Sequence, residues 1–173
     1  MTSLLSRRGL RLRPAAIEDL DALYTLWTAP EVRWLLFDDR CISRDEAQAF
    51  VDASGVSFAQ HGYGLWLVFE PDHEPIAGFT GLQAQPQGAP SLLFGTHPVF
   101  WGRGYATEAA AAVLHHVFSV LGLERVVADV DEPNAASICI LEHLGMSRVR
   151  RTLVNGRPLL YYEIEPRCGT QRH

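Results

Sequence analysis

Cysteine is scarce: three in 173 residues, at Cys41, Cys139 and Cys168. The number is odd and the spacings are wide, which excludes a disulfide framework and a Cys-x-x-Cys metal site. A reducing, cytoplasmic setting without a resident metal is the simplest expectation. Basic residues are also short, with 15 Lys and Arg against 20 Asp and Glu and a formal net charge of -5. No positive excess is available to displace counterions from a duplex, so no nucleic-acid partner is expected. No apolar run approaches the length of a bilayer span. The opening Thr2-Ser-Leu-Leu-Ser-Arg-Arg-Gly9 has too short an apolar core for a signal peptide. No membrane partner is therefore expected. Internal repeats and low-complexity segments are absent as well.

What is present fits a globular chain: 47% apolar and 20% charged residues. The length predicts one domain over 1–173, with a core from about 9 to 166 and a polar tail over 167–173. Leu10 and Leu12 alternate with Arg11 and Arg13 as a short strand ended by Pro14. Ile17, Leu20, Leu23, Tyr24 and Trp27 follow at helical steps up to about Thr28. Ala29-Pro30 breaks that helix. Glu31 to Phe37 is a short apolar piece with the character of a second helical turn. Ser43-Arg-Asp-Glu46 is a capping box opening a helix to about Ser54. Tyr63 to Phe69 and Pro75 to Leu82 read as a strand pair, and Ser91 to His97 as a third strand. A helix over Thr107 to Leu121 has Ala109, Val113, Val117 and Val120 as its inward stripe and Gly122 as its stop. Arg125 to Val130 is a strand, and Ala135 to Leu144 a helix closed by Gly145. Two last strands flank the hairpin turn Asn155-Gly156. The order implies an α+β fold with a mixed, mostly antiparallel sheet, not an alternating doubly wound one.

The chemistry concentrates in Pro98-Val-Phe-Trp-Gly-Arg-Gly-Tyr-Ala-Thr-Glu-Ala109. Two glycines and an alanine, Gly102, Gly104 and Ala106, lead into the Ala-rich helix. Small residues let backbone approach a bulky ligand, and a helix start offers unpaired amides with a partial positive charge. Such a turn can cradle a diphosphate. An ordinary tight loop into a core helix has the same residues, so the stretch by itself leaves both open. A nucleoside-triphosphate loop is excluded, because Tyr105 stands where Gly-Lys-Ser/Thr would continue. A dinucleotide fingerprint fits poorly: Thr107 occupies the third Gly/Ala position, and the stretch does not head a βαβ unit.

From about Arg11 to Glu165 the sequence resembles the GNAT superfamily of N-acetyltransferases. Within it, the chain is similar to the ribosomal-protein N-terminal acetyltransferase branch (RimJ/RimL-like). The superfamily signature Gln/Arg-x-x-Gly-x-Gly/Ala is met by Trp101-x-x-Gly104-x-Ala106, with Trp departing at the first position. Trp-Gly-x-Gly-Tyr-Ala-Thr-Glu-Ala is the form this branch takes. Asn134-Ala-Ala-Ser137 with Leu141-Glu-His-Leu-Gly-Met146 is a second match. The opening Leu10-Arg-Leu-Arg-Pro14, with Asp19-Leu20 and Glu31-Val32, is a third.

The resemblance implies a sheet with a splayed parallel strand pair, acetyl-CoA as acyl donor, and a primary amine as acceptor (a protein N-terminus or a small molecule). By that analogy, backbone groups of Gly95, Thr96 and His97 pair with the pantetheine arm. Amides of Gly102, Arg103, Gly104, Tyr105, Ala106 and Thr107 hold the pyrophosphate. The Arg103 side chain either adds a charge contact or lies solvated. Asn134 bonds the cofactor from the opposite wall and also suits a helix N-cap. Ser137 is the expected catalytic residue, as hydrogen-bond donor to the departing sulfur, although a hydroxyl in a first helical turn also bonds to backbone. Related proteins often carry Glu early in the strand that here begins with Ser91, and serine cannot be the base. His97, Glu31, water, Tyr161 and Tyr162 are the alternatives. With no carboxylate in view, an α-amine acceptor is favoured over lysine, because its pKa of about 7.7–8.0 lies well below lysine's value of about 10.4.

Cys139 reads as core; Trp27, Trp34 and Phe37 read as core or as the lining of an acceptor groove; Arg148, Arg150 and Arg151 read as a solvated strand face or as contacts to the cofactor's phosphate or an acidic partner. A catalytically silent acyl-CoA-binding module is the rival reading. Monomer and homodimer are both compatible with the sequence.

Overall fold

The structure is a computed structural model, and it describes residues 2–167. Cys168 and the rest of the expected polar tail lie outside the described residues. Eight strands form one sheet in the order β1-β2-β3-β4-β5-β6-β8-β7. They span Leu4–Leu5, Arg11–Pro14, Leu65–Phe69, Ile76–Gln83, Ser91–Thr96, Val126–Asp131, Ser147–Val154 and Arg157–Ile164, numbered β1 to β8. Five α-helices flank them: α1 Leu20–Thr28, α2 Pro30–Leu36, α3 Arg44–His61, α4 Tyr105–Ser119 and α5 Ala135–His143. Every neighbouring pair is antiparallel except β5 and β6. The mixed α+β architecture expected from the order of elements is the one observed.

Each sheet face has its own core. Leu12, Trp66, Leu92, Val126, Ala128, Val130 and Leu160 pack with Ala110, Val113 and Val117 of α4 on one face. Leu65, Leu67 and Phe79 pack with Leu23, Trp27, Val32 and Val51 of α1 to α3 on the other. Alternation along β6 decides which side chains join the first core: Val126, Ala128 and Val130 are buried, and the residues between them face the other way.

Several expectations need adjustment. The third helix runs on to His61 rather than ending near Ser54, because Gly55 tolerates the helical backbone and Gly62, at φ 80°, supplies the left-handed stop. Its capping box is formed as expected, with the Glu46 amide donating to Ser43 Oγ (3.1 Å) and the Ser43 amide to Glu46 Oε2 (2.7 Å). Helix α4 begins two residues earlier than expected and ends at Ser119, so Val120 leaves the inward stripe and is 70% exposed. At the last hairpin, Asn155 and Gly156 both adopt positive φ (50° and 76°), the geometry that lets a two-residue turn match strand twist. The adjoining edge strand β7 carries Arg148, Arg150 and Arg151, charges that discourage edge-to-edge pairing. Arg150 lies over the Tyr161 ring at 4.3 Å, and Arg151 pairs with Glu132.

The first turn is pinned by Arg13, whose two terminal nitrogens each donate to the Asp19 carboxylate at 2.8 Å. The Ala16 amide donates to the same group at 2.8 Å. Bonding to Arg13 above all, assisted by Ala16 and opposed by burial, holds Asp19 below the ordinary carboxylate range. A lowered folded pKa stabilises the fold above the unfolded value of about 3.9 and loses that contribution as pH falls through the folded value. Arg13 is 46% exposed, so solvent screening trims the effect. We expect Asp19→Asn to lower stability at pH 7 by about 1–2 kcal/mol. The gap to wild type should narrow as pH falls below the unfolded value of about 3.9 and close once the folded value is passed, as urea melts along a descending pH series would read.

Candidate active site

Strands β5 and β6 touch only at their beginnings. Their single paired register is Ser91 with Val127, closed by the Val127 amide donating to the Pro90 carbonyl at 3.0 Å. Beyond it the strands diverge, which is the splay expected from the resemblance. Backbone groups alternate sides along a strand. The Pro90 carbonyl turns to β6 and the His97 amide turns to Ala77 next to β4 (2.8 Å). By the same alternation, the backbone polar groups of Phe94 and Thr96 point into the gap. Of the expected Gly95–His97 segment, then, Thr96 is turned toward the cleft, while the His97 amide is committed to Ala77. Gly95 has a packing reason to be glycine: an added Cβ would come within 2.4 Å of the Phe79 ring.

Two connected hollows occupy the gap. One, of about 1100 Å³, is lined by Phe94, Thr96, Trp101, Gly104 and Thr107 together with Asn134 and Ser137. The other, of about 610 Å³, is lined by Ser91, Leu93, Asp129 and Asp131, again with Asn134 and Ser137. Asn134 and Ser137 stand where the two meet.

At the larger hollow, Gly102 and Gly104 adopt φ of 78° and 77°, which side-chain-bearing residues rarely do. Gly104 is the N-cap of α4 and brings no capping side chain. The first-turn amides of Tyr105, Ala106 and Thr107 therefore have no partner within the helix. A Cβ on Gly102 would meet nothing within 4 Å, and Tyr105, Ala106 and Thr107 all line the hollow. Trp101 has a clear local role: its indole Nε1 donates to the Thr96 carbonyl at 2.8 Å, tying the glycine turn to the end of β5. Arg103 lies over the Phe100 ring at 5.3 Å and 3.4 Å from Glu70, neither buried nor simply solvated. The Tyr105 hydroxyl also donates to Glu70. Arg8, not foreseen from sequence, brings a guanidinium nitrogen 3.8 Å from where a Gly104 Cβ would sit. Its amide is anchored by Glu108 at 2.8 Å.

Asn134 is buried and caps α5, its Oδ1 accepting the Ser137 amide at 3.1 Å. The Ser137 hydroxyl has no hydrogen-bond partner among the described residues and borders both hollows. Cys139 corrects the expectation of a core thiol: it is exposed, borders the larger hollow, and lies 3.5 Å from His143 Nδ1. Trp34 is likewise 55% exposed on the hollow's rim, while Trp27 is core.

The base alternatives sort clearly. His97 borders neither hollow, and its Nδ1 accepts the Val99 amide at 3.2 Å. Tyr162 is buried and bonds Glu142, and Tyr161 lies beneath Arg150. Glu31 borders the larger hollow, away from Ser91. Sequence reasoning missed Asp129. It stands on the face of β6 turned from the first core and lines the smaller hollow with Ser91. Although the residue as a whole is exposed, protein hems it in closely enough that burial, reinforced by Asp131, raises its pKa. The signal was in the strand itself: Val126-Val-Ala-Asp-Val-Asp131 puts both aspartates on the face opposite the core residues. Asp131 is already engaged by Arg157 (3.3 Å), which also holds Asp38 (2.7 Å). Among the described residues no helix is long and apolar enough to cross a membrane, and no cluster of metal-ligating side chains occurs.

Residues 9–147 match the family model described as an acetyltransferase (GNAT) domain. The uncharacterized N-acetyltransferase p20 of Bacillus licheniformis is 28% identical over 154 residues, covering 86% of this chain and 84% of that protein. A putative GNAT-family acetyltransferase from Bordetella pertussis superposes with a TM-score of 0.82 at 23% identity, over 94% of this chain and 99% of that one. RimL, a ribosomal L7/L12 α-N-protein acetyltransferase solved in complex with coenzyme A, superposes at 0.78 and 20% identity, over 95% and 98%. With four-fifths of its length inside the family model, a sheet that parts between β5 and β6, and a glycine turn at the head of α4, the chain belongs to the GNAT acetyltransferase family.

Proposed function

We propose that the protein moves an acetyl group from acetyl-CoA directly to a primary amine, in a ternary complex and without a covalent enzyme intermediate. The observation that carries this reading is the parted β5–β6 pair, with open helix-start amides at one end and an unpartnered Ser137 hydroxyl at its centre. The residues present fit coenzyme A. The cap at Gly104 lacks a Cβ, the turn from Gly102 and the first residues of α4 line the larger hollow, and the Arg8 guanidinium lies close to Gly104. Those amides would hold the diphosphate, with Thr96 and Phe94 offering backbone partners to the pantetheine amides and Asn134 closing the opposite wall. When bound, the coenzyme supplies an already activated thioester. Ser137 holds its hydroxyl toward the departing sulfur and returns a proton there. The acceptor enters by the smaller hollow and presents an α-amine or small amine.

Amine-dependent release of free thiol tests this. A panel of an α-amino peptide, an N-blocked lysine peptide and tyramine should yield thiol with at least one member. A silent acyl-CoA sensor would bind the coenzyme and release none. Ser137→Ala should lower kcat by about 10-fold or more while leaving the KM for acetyl-CoA within about twofold. Unchanged turnover would remove Ser137 from the chemistry.

A further inference from the structure

We propose that Asp129 is the general base, a carboxylate delivered by β6 to the acceptor side of the cleft where β5 offers only Ser91. The inference rests on the acetyl-transfer reading above. Ser91 and Val127 are register partners, so Asp129, two residues further along β6, shares their face of the sheet. Ser91, Leu93, Asp129 and Ser137 line one hollow. Its other carboxylates, Asp38 and Asp131, are both held by Arg157, whereas Asp129 has no ion-pair partner among the described residues. A base must be unengaged and within reach of the incoming amine. Asp129 alone of the three meets the first condition.

The chemistry balances as follows. The acceptor enters as an ammonium, and Asp129 takes one of its protons. The freed lone pair forms the C–N bond at the thioester carbonyl as the C–S bond breaks. The second nitrogen proton passes to the Ser137 oxygen as that hydroxyl gives its own proton to sulfur, leaving Ser137 unchanged and giving an amide and a thiol. Asp129 then returns its proton to water. Burial and the neighbouring Asp131 bring its basicity closer to neutral pH, which favours the transfer. An α-amine remains the better acceptor, because its proton is far less tightly held than lysine's.

Around Asp129, β6 contributes Asp131, β8 contributes Tyr161, Glu163 and Arg157, β7 contributes Arg150, and the loop after α2 contributes Asp38. Asp129→Asn keeps the shape and removes the base. We expect kcat/KM for the best panel amine to fall about 100-fold or more, with the acid limb of the pH profile lost. The Kd for coenzyme A by calorimetry should stay within about twofold of wild type. In the ligand-free protein, a carbon-13 carboxyl titration should place Asp129 above the ordinary midpoint of about 3.9. Turnover within about threefold of wild type and an unchanged acid limb would overturn the assignment, as would a midpoint at or below the ordinary value. If Asp129→Asn does not fold, Asp129→Ser replaces it, with added formate expected to restore part of the rate and no restoration counting against the base. Wild-type protein that binds coenzyme A and releases no thiol with any amine defeats the acetyl-transfer reading instead, a result the titration arm separates from failure of the base.

Discussion

Gly104→Val should raise the Kd for coenzyme A about 100-fold or more while the protein stays folded. Two effects act at this position. Gly104 sits at φ 77°, and forcing a β-branched residue there costs about 1–3 kcal/mol. Strain alone is relieved by a local shift of the turn, which moves the amides that follow. The added side chain also stands over them. A Cβ would meet only the Arg8 guanidinium at 3.8 Å, so the protein accommodates it, and the methyl groups enter the open space before the helix. Each hydrogen bond to a charged phosphate is worth about 1.5–3 kcal/mol, and losing two gives at least about 3 kcal/mol, or two decades in Kd. Gly122→Val is the control. Its φ is 71°, its surroundings are equally open, and it lies beyond the other end of α4. It should lose similar stability and bind coenzyme A as wild type does. Calorimetry on both variants distinguishes a cradle from a merely strained loop: equal affinities would leave the glycine turn with a folding role only.

Trp66→Ala should be the most damaging core truncation, lowering stability by about 3–5 kcal/mol. Trp66 is fully buried in β3. Its ring meets Phe58 edge-on at 4.7 Å and His116 at 6.1 Å, joining the C-terminal part of α3 to α4 within one core. Its indole nitrogen also donates to the Thr2 carbonyl at 2.8 Å, tying the chain's opening segment to the core. Removing it leaves a cavity that three rigid elements cannot close, and frees a carbonyl that needs water. At this chain length, about 2–4 °C per kcal/mol predicts a fall in Tm of about 6–20 °C. Trp66→Phe should recover most of the loss, because it keeps the ring contact and gives up chiefly the indole bond. A fall of only a degree or two for Trp66→Ala would show that the two helices are held apart from this residue.

The elements were legible wherever local patterning is strong. The Ser43–Glu46 box, the Asn155-Gly156 turn and the alternation of Leu10 and Leu12 with Arg11 and Arg13 each carry their own conformational instruction within a few residues. Boundaries slipped where a signal was ambiguous. Gly55 resembles a stop but is a half-buried helical residue, and Val120 has the right spacing for a stripe that has already ended. Cys139 was read as core and borders the cleft instead, and of the two roles open to Trp34 the cleft-lining one is observed, because residue type predicts burial only on average.

For the candidate site, the residues contiguous in sequence are ones the structure brings to a single hollow: the glycine turn, and Asn134 with Ser137. The free first-turn amides of α4 and the Asn134 cap require only neighbours along the chain, so composition and spacing determine them. The family, the α+β class and the expectation of a parted strand pair follow from the same local matches. What only the tertiary structure decided is the meeting of distant segments. Arg8 reaches the glycine turn, Trp101 folds back onto Thr96, and Arg157 engages the two other aspartates of the hollow that Asp129 lines. A strand's sequence says which of its residues share a face, but not which strand lies beside it. Pairing β6 with β5, 30 or more residues away, turns an ordinary aspartate into the carboxylate facing Ser91, because sheet register is set by long-range packing and not by the chain's local propensities.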